Sequence, residues 1–306
     1  MHSFAKFIKS IFFGNYFVGI LAVALTIEAC LQLGLPFPSL TYFLLLFISP
    51  TVYYTYAYSG QTTLNASGNL RAKWYANNKT FVKYSQWVLF AISMLLATYL
   101  FIKNLDSILA LPKDYWLSIF AILFAGGFYY SLLPKLFFNL NLRNTGWLKA
   151  FIIGFVWACC ANVLLLIILK IELGINDNDW PLWIWLFVKN WMFCTVNAII
   201  FDIKDYPTDA NKDLRTFAVR YGLRTTIFYI LLPLLVIGLL SFYIFAYYRD
   251  FNFLQLFFNT LPFVATIVVA FSMRKRQQIL YYLMVVDGLI LFKAICGILG
   301  IVLYAF

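Results

Sequence analysis

The sequence predicts an all-α membrane protein, a single domain over residues 1–306 built as a nine-transmembrane-helix bundle around a central lipid-facing cavity. Three observations carry that expectation. Apolar residues make up 63% of the chain and charged residues 11%, with a mean hydropathy of +0.84; no soluble domain needs that much apolar surface. The apolar residues gather in long runs, and about 20 of them in a helix cross roughly 30 Å of hydrocarbon. The basic residues gather between the runs, mostly on one side.

Residues 1–13 alternate apolar side chains with Lys6 and Lys9. No small-residue cleavage site precedes a long span, so the segment is expected as an interfacial helix rather than a cleaved leader. The expected spans follow at 15–33, 38–58, 84–102, 116–133, 150–170, 181–201, 226–246, 253–271 and 280–303. Backbone groups in hydrocarbon must bond within their own segment, which selects helices; the alternation of a lipid-facing barrel is absent. No Pro/Gly/Ser linker, low-complexity tract or repeat divides the chain. The connections at 34–37, 103–115, 171–180 and 247–252 are short, whereas 59–83 and 202–225 are long and both follow even-numbered spans. That asymmetry puts the working groups on one face, because loops held by a rigid scaffold are where binding groups usually sit.

Charge sets the expected orientation. With the N-terminus inside, the inner segments hold Lys6, Lys9, Arg71, Lys73, Lys79, Lys83, Lys135, Arg143, Lys149, Lys204, Lys212, Arg215, Arg220, Arg224, Arg274, Lys275 and Arg276. The outer segments hold only Lys103, Lys113, Lys170 and Arg249. The positive-inside rule then predicts an integral protein of a cytoplasmic membrane of bacterial type, with N-terminus and active face cytoplasmic and C-terminus outside. The net charge of +11 is mainly this topology signal, with some attraction for anionic head groups. It makes no case for nucleic acid.

The five cysteines all fall inside expected spans and none forms a CxxC pair, so they are expected to pack rather than to bridge or bind metal. His2 is the only histidine, which argues against histidine acid–base chemistry and histidine-ligated haem or zinc. Trp180, Trp183 and Trp185 read as interface anchors. Other rings could line a greasy cavity able to shelter a cation, although packing accounts for any single one. Glu28 and Asp287 lie within spans, where a carboxylate costs roughly 2.5–3.5 kcal/mol on insertion scales and faces the bundle interior. Asp287 stands six residues before Lys293, too far for a one-turn pair, so its partner is expected on another helix. Glu28 is open to acceptor handling or to structural pairing.

The most informative segment is Asp202-Ile-Lys-Asp205-Tyr-Pro-Thr-Asp209-Ala-Asn-Lys-Asp213, which follows directly on an apolar run. The spacing i, i+3, i+7, i+11 places four carboxylates on one helical face. Hard cations such as Mg²⁺ bind through such oxygens, usually one or two carboxylates with substrate phosphates. A solvated helix end, balanced by Lys204, Lys212 and Arg215, has the same composition. Pro207 between Asp205 and Asp209 predicts a kink or a new first turn.

Extended to Asp202-x-x-Asp205-x-x-x-Asp209-x-x-x-Asp213-x-x-Thr216-Phe-Ala-Val-Arg220-Tyr-Gly222, the segment resembles the second aspartate-rich motif of the UbiA superfamily of intramembrane prenyltransferases. That motif runs Asp-x-x-x-Asp-x-x-x-Gly-x-x-Thr with a Val/Arg-x-x-Gly tail. Asp205, Asp209 and Thr216 fall on it, Gly222 on the tail glycine, and Asp202 on an acidic or amide position just ahead. Tyr129-Tyr130-Ser131-x-x-x-Lys135, then Lys149 and Gly154-Phe-Val-Trp, are similar to the family's tyrosine–basic loop and the start of its fifth helix. The chain also departs from the pattern. Asp213 replaces the motif glycine. The family's first motif, Asn-Asp-x-x-Asp-x-x-x-Asp, has no counterpart, because no Asp or Glu occurs between Glu28 and Asp106. Gln61, Asn65 and Asn69 keep the i, i+4, i+8 spacing with amides alone.

The resemblance implies Mg²⁺ held by Asp202, Asp205 and Asp209, with Asp205 and Asp209 catalytic. It implies an isoprenyl diphosphate as donor, ionising in an apolar cavity, and a lipophilic, often aromatic, acceptor. Arg71, Lys73, Lys135, Arg143 and Lys204 are the expected diphosphate contacts, with Gln61, Asn65 and Asn69 as a rebuilt first motif. Membrane lipid is the other expected partner; no obligate protein partner is evident. The missing acids equally suit a homologue that binds a polyprenyl or lipid ligand without transferring it, or with altered chemistry. A transporter is less well supported, since paired inverted repeats and broken spans are not evident.

Overall fold

The computed structural model describes residues 2–59, 70–129, 146–176, 179–211, 214–275 and 277–303. Among these the regular structure is entirely helical. In chain order the helices are α1 (His2–Phe13), α2 (Tyr16–Gln32), α3 (Leu40–Ser59), α4 (Leu70–Asn77), α5 (Lys79–Lys103), α6 (Leu105–Leu109) and α7 (Lys113–Tyr129). Then come α8 (Gly146–Leu173), α9 (Trp180–Ala210), α10 (Phe217–Tyr221), α11 (Leu223–Tyr248), α12 (Phe253–Ser272) and α13 (Ile279–Val302). α8, α11 and α13 each contain one π-helical turn, at Cys159–Val163, Thr226–Leu231 and Tyr282–Val286.

Seven helices (α3, α5, α8, α9, α11, α12 and α13) are long and apolar enough to cross a membrane, and the chain is an integral membrane protein. An eighth span results if α1 and α2, bent at 63°, count together. The expected count of nine is therefore not reached among the described residues. The shortfall falls on the segment at 116–133: α7 has 17 described residues, and 130–133 lie outside the description.

The bend between α1 and α2 is built from the sequence at Gly14-Asn15. Asn15 takes a left-handed backbone (φ 62°), a conformation that asparagine tolerates better than most residues. Thr55 of α3 donates its hydroxyl to the Gly14 carbonyl at 3.0 Å, and Asn15 Nδ2 donates to Thr55 Oγ1 at 3.0 Å. From α4, Arg71 donates to the Phe13 carbonyl at 3.1 Å and to Asn15 Oδ1 at 2.6 Å, while the Tyr75 hydroxyl reaches the same carbonyl at 2.9 Å. Burial pushes the Tyr75 phenol above its ordinary value, so it stays a proton donor there. Backbone groups freed by the break are thus satisfied inside the protein, as a low-dielectric setting requires.

α9 is the axis of the bundle. Its apolar window is 61% buried, against 6% for α5, which lies on the outside. Phe193, Val196, Ile199, Ile200 and Ile203 of α9 pack with Leu231, Leu235 and Phe242 of α11, Phe263 and Val269 of α12, and Val286 and Leu289 of α13. On its other side α9 packs against α8, which buries Gly146, Ala150, Gly154 and Ala158, four small residues at a spacing of four, with Ala150 and Gly154 against α9. Small residues let membrane helices approach closely. A Cβ on Gly154 would overlap Thr195 and the Trp191 carbonyl, and one on Gly146 would overlap the backbone of Arg215 and Thr216. At the far end Asp179 caps α9 by accepting from the Leu182 amide at 3.2 Å, and it also pairs with Arg249 at the end of α11.

Candidate functional site

The acidic segment closes α9 at the end that carries the long connections. The helix runs on through Pro207 to Ala210, so of the two outcomes expected there a new first turn is not what forms. Seven residues are nearly two full turns and return to within about 20° of the same face. Asp202 and Asp209 therefore share a face, and both are buried. Asp205, three residues on from Asp202, points aside: its side chain is 42% exposed and pairs with Lys204 at 2.9 Å. An exposed pair of that kind contributes little, about 0–1 kcal/mol. Asp213 lies outside the described residues.

Asp202 meets a cation from α8. Lys149 Nζ donates to Asp202 Oδ1 at 2.7 Å. The close seam between α8 and α9, and the contact of Gly146 with residues 215–216, set that distance. Asp202 Oδ2 is buried and receives no hydrogen bond among the described residues. Thr216 N-caps α10 by accepting from the Val219 amide at 3.4 Å, and Gly222 ends α10 with φ 82°. Local chain geometry accounts for both motif positions, since a left-handed φ favours glycine.

The other expected site residues are dispersed. Arg71 is buried, its guanidinium bonded into the α1–α2 bend and stacked 4.1 Å from the Tyr58 ring centroid. Lys73 is exposed on α4, and Lys204 lies 5.5 Å from the Phe201 ring. Lys135, Arg143, Gln61, Asn65 and Asn69 lie outside the described residues.

Comparison with family models, curated proteins and solved structures finds no match to this chain. The residues themselves must carry the reading.

Mg²⁺ takes oxygen ligands and commonly needs only one or two carboxylates when a phosphate completes its shell. Asp202 Oδ2 and the neighbouring Asp209 carboxylate suit such an ion, with Asp205 within a turn of both. Among the described residues no three His, Cys, Asp or Glu side chains converge, so a phosphate would have to supply much of the coordination. Lys149 adds a positive charge at the same place.

Three contributors escaped the sequence reading. Lys149 was legible as an inner basic residue and as part of the tyrosine–basic stretch, but not as the partner of Asp202, 53 positions away. The small-residue stripe of α8 was legible as Gly-x-x-x-Ala-x-x-x-Gly-x-x-x-Ala. Asn197 of α9, which donates to Asp287 Oδ1 at 3.2 Å, supplies the expected partner on another helix.

The second intramembrane acid also has its partners. Glu28 of α2 is fully buried and accepts from Lys293 Nζ of α13 at 2.6 Å. Lys189 of α9 lies 3.8 Å from its other oxygen and donates to Asn259 Oδ1 of α12 at 2.6 Å. Lys293 also donates to Asn190, and Gln32 donates to Glu28 at 3.2 Å. Of the two roles open to Glu28, the geometry gives it structural pairing across four helices.

Proposed function

We propose that the chain is a UbiA-type intramembrane prenyltransferase that binds an isoprenyl diphosphate with Mg²⁺ at the loop end of α9. The observation that carries the reading is the pair of buried carboxylates, Asp202 and Asp209, on one helical face beside the Lys149 ammonium, at the boundary of an apolar bundle. Buried carboxylates there are costly without a charged ligand or partner. Bound Mg²⁺ would supply neutralisation of the leaving diphosphate.

The chain's own residues do the rest. Asp202 and Asp209 would hold the ion that binds the phosphates, and Lys149 beside them would add positive charge toward the leaving diphosphate. The bond between the allylic carbon and its oxygen breaks, and the electron pair departs with the diphosphate. An electron-rich carbon of a lipophilic acceptor captures the allylic cation and then loses a proton. The apolar bundle excludes water that would otherwise trap the cation.

The reading brings with it nine spans and a cytoplasmic site, as the charge distribution suggests. Single cysteines placed at 73, 204 and 275 should react with an impermeant thiol reagent only in inverted or opened membranes. Labelling from the outer face would reverse the topology.

A second reading follows from a specific pair of observations: Asp202 is already engaged by Lys149, and residues 29–105 hold no acid. It is a protein that binds the diphosphate without transferring the chain. Membranes incubated with labelled allylic diphosphates, Mg²⁺ and a panel of quinone precursors distinguish the two. Transfer yields an extractable prenylated product. The binding-only protein retains label without product, and absence of Mg²⁺-dependent retention would sink both.

A further inference from the structure

A cavity of about 920 Å³ lies away from the aspartates, between α3 and α5, with α4 across one end. That volume is within the range of small-molecule sites. Along α5 its lining runs from Lys79 to Ser93, and along α3 from Ser59 back to Ser49. At 1.5 Å per residue the α5 wall is about 21 Å long, close to the depth of one leaflet. Between its ends the lining is chiefly apolar and aromatic, including Val52, Tyr53 and Phe90.

The two ends differ in chemistry. Lys79 and Lys83 stand one helical turn apart at the end capped by α4. Like charges so placed repel, and neither lysine is in an ion pair among the described residues. No acid can arrive from either wall or from α4, because the chain carries none from residue 29 to residue 105. The rim is open to the surrounding bilayer, with Tyr56 75% and Trp87 65% exposed.

We propose that this groove binds one acidic phospholipid. Its phosphate lies on Lys79 and Lys83, and one acyl chain descends past Val52 and Phe90 to Ser93. Two ammoniums without a carboxylate complement a phosphodiester directly. A diphosphate, with its higher charge and its need for a cation held by acidic ligands, is better matched to the Asp202–Asp209 face. The proposal is independent of prenyl transfer.

The test uses the full chain in nanodiscs of equimolar phosphatidylglycerol and phosphatidylcholine, followed by native mass spectrometry of the lipids that stay bound. The wild type should retain one phosphatidylglycerol in preference to phosphatidylcholine. Lys79→Gln/Lys83→Gln should lower that retention on the order of tenfold. Ser93→Trp should lower it too, by filling the deep end with both charges intact. Lys6→Gln/Lys9→Gln should leave it unchanged. Each variant is first checked for an unchanged melting temperature in detergent; should Ser93→Trp fail, Ser49→Phe fills the same end from α3. Retention that survives the double lysine change, survives filling of the deep end, or falls equally with the α1 control overturns the site. Displacement of the phospholipid by a long-chain allylic diphosphate without Mg²⁺ would also overturn it, making the groove a donor-tail site. A protein lacking transferase activity but passing these arms would leave the lipid site standing.

Discussion

Replacing Glu28 with alanine should destabilise the bundle by about 3–5 kcal/mol, the cost of leaving a buried charge without its partner. Here two charges are left: Lys293 and Lys189 both lose the same carboxylate, and both are nearly inaccessible to solvent. The amide oxygens of Asn259 and Asn190 continue to accept from them but carry no charge. Lys293→Met should cost less, because Lys189 remains 3.8 Å from Glu28. The double variant Glu28→Met/Lys293→Met should be more stable than Glu28→Ala, since apolar groups of similar volume often replace a buried pair without loss. Unfolding of the four proteins in detergent measures the order. A Glu28→Ala protein as stable as wild type would mean that the cluster is hydrated and not a tether.

Under the prenyltransferase reading, Asp202→Asn and Asp209→Asn should each lower Mg²⁺-dependent diphosphate binding and turnover by on the order of 100-fold or more, since even outer-shell partners of a metal are worth 10–100-fold. Asp205→Asn should cost less. The sequence ranks Asp205 and Asp209 first, whereas burial ranks Asp202 and Asp209 first. Lys149→Met should weaken the diphosphate more than it weakens Mg²⁺. Isothermal titration with Mg²⁺, with and without an allylic diphosphate, separates these effects. A larger loss at Asp205 than at Asp202 would restore the ranking drawn from the motif.

Spans were legible because hydrocarbon imposes a composition that a sequence cannot hide. Their boundaries were less legible: the helix expected at 181–201 runs on to Ala210 and the one expected at 84–102 begins at Lys79, because helices continue past the apolar run that marks them. The facing of Asp202 and Asp209 was legible from helical period alone. Their partners were not, because spacing reports neighbours on one helix, and Lys149, Lys189 and Lys293 come from elsewhere in the chain. Sequence reasoning could say that Glu28 and Asp287 need company but not that Lys293, six residues from Asp287, belongs to Glu28. The π-helical turns left no sequence signal that we can identify. Arg71 shows a further limit: composition offers it to a ligand, but could not show that its guanidinium also donates to the Phe13 carbonyl and to Asn15 at the α1–α2 bend.

The glutamate cluster also has a consequence for biosynthesis. Glu28 is made 265 residues ahead of its closest partner. At about 5–20 residues per second, that interval is on the order of 13–50 s. During it α2 must enter the bilayer with Gln32, one turn away, as the local companion of its carboxylate. Lys189 of α9 is the first cation to be made that can approach the acid, and the tighter pairing waits until α13 has emerged to close the cluster.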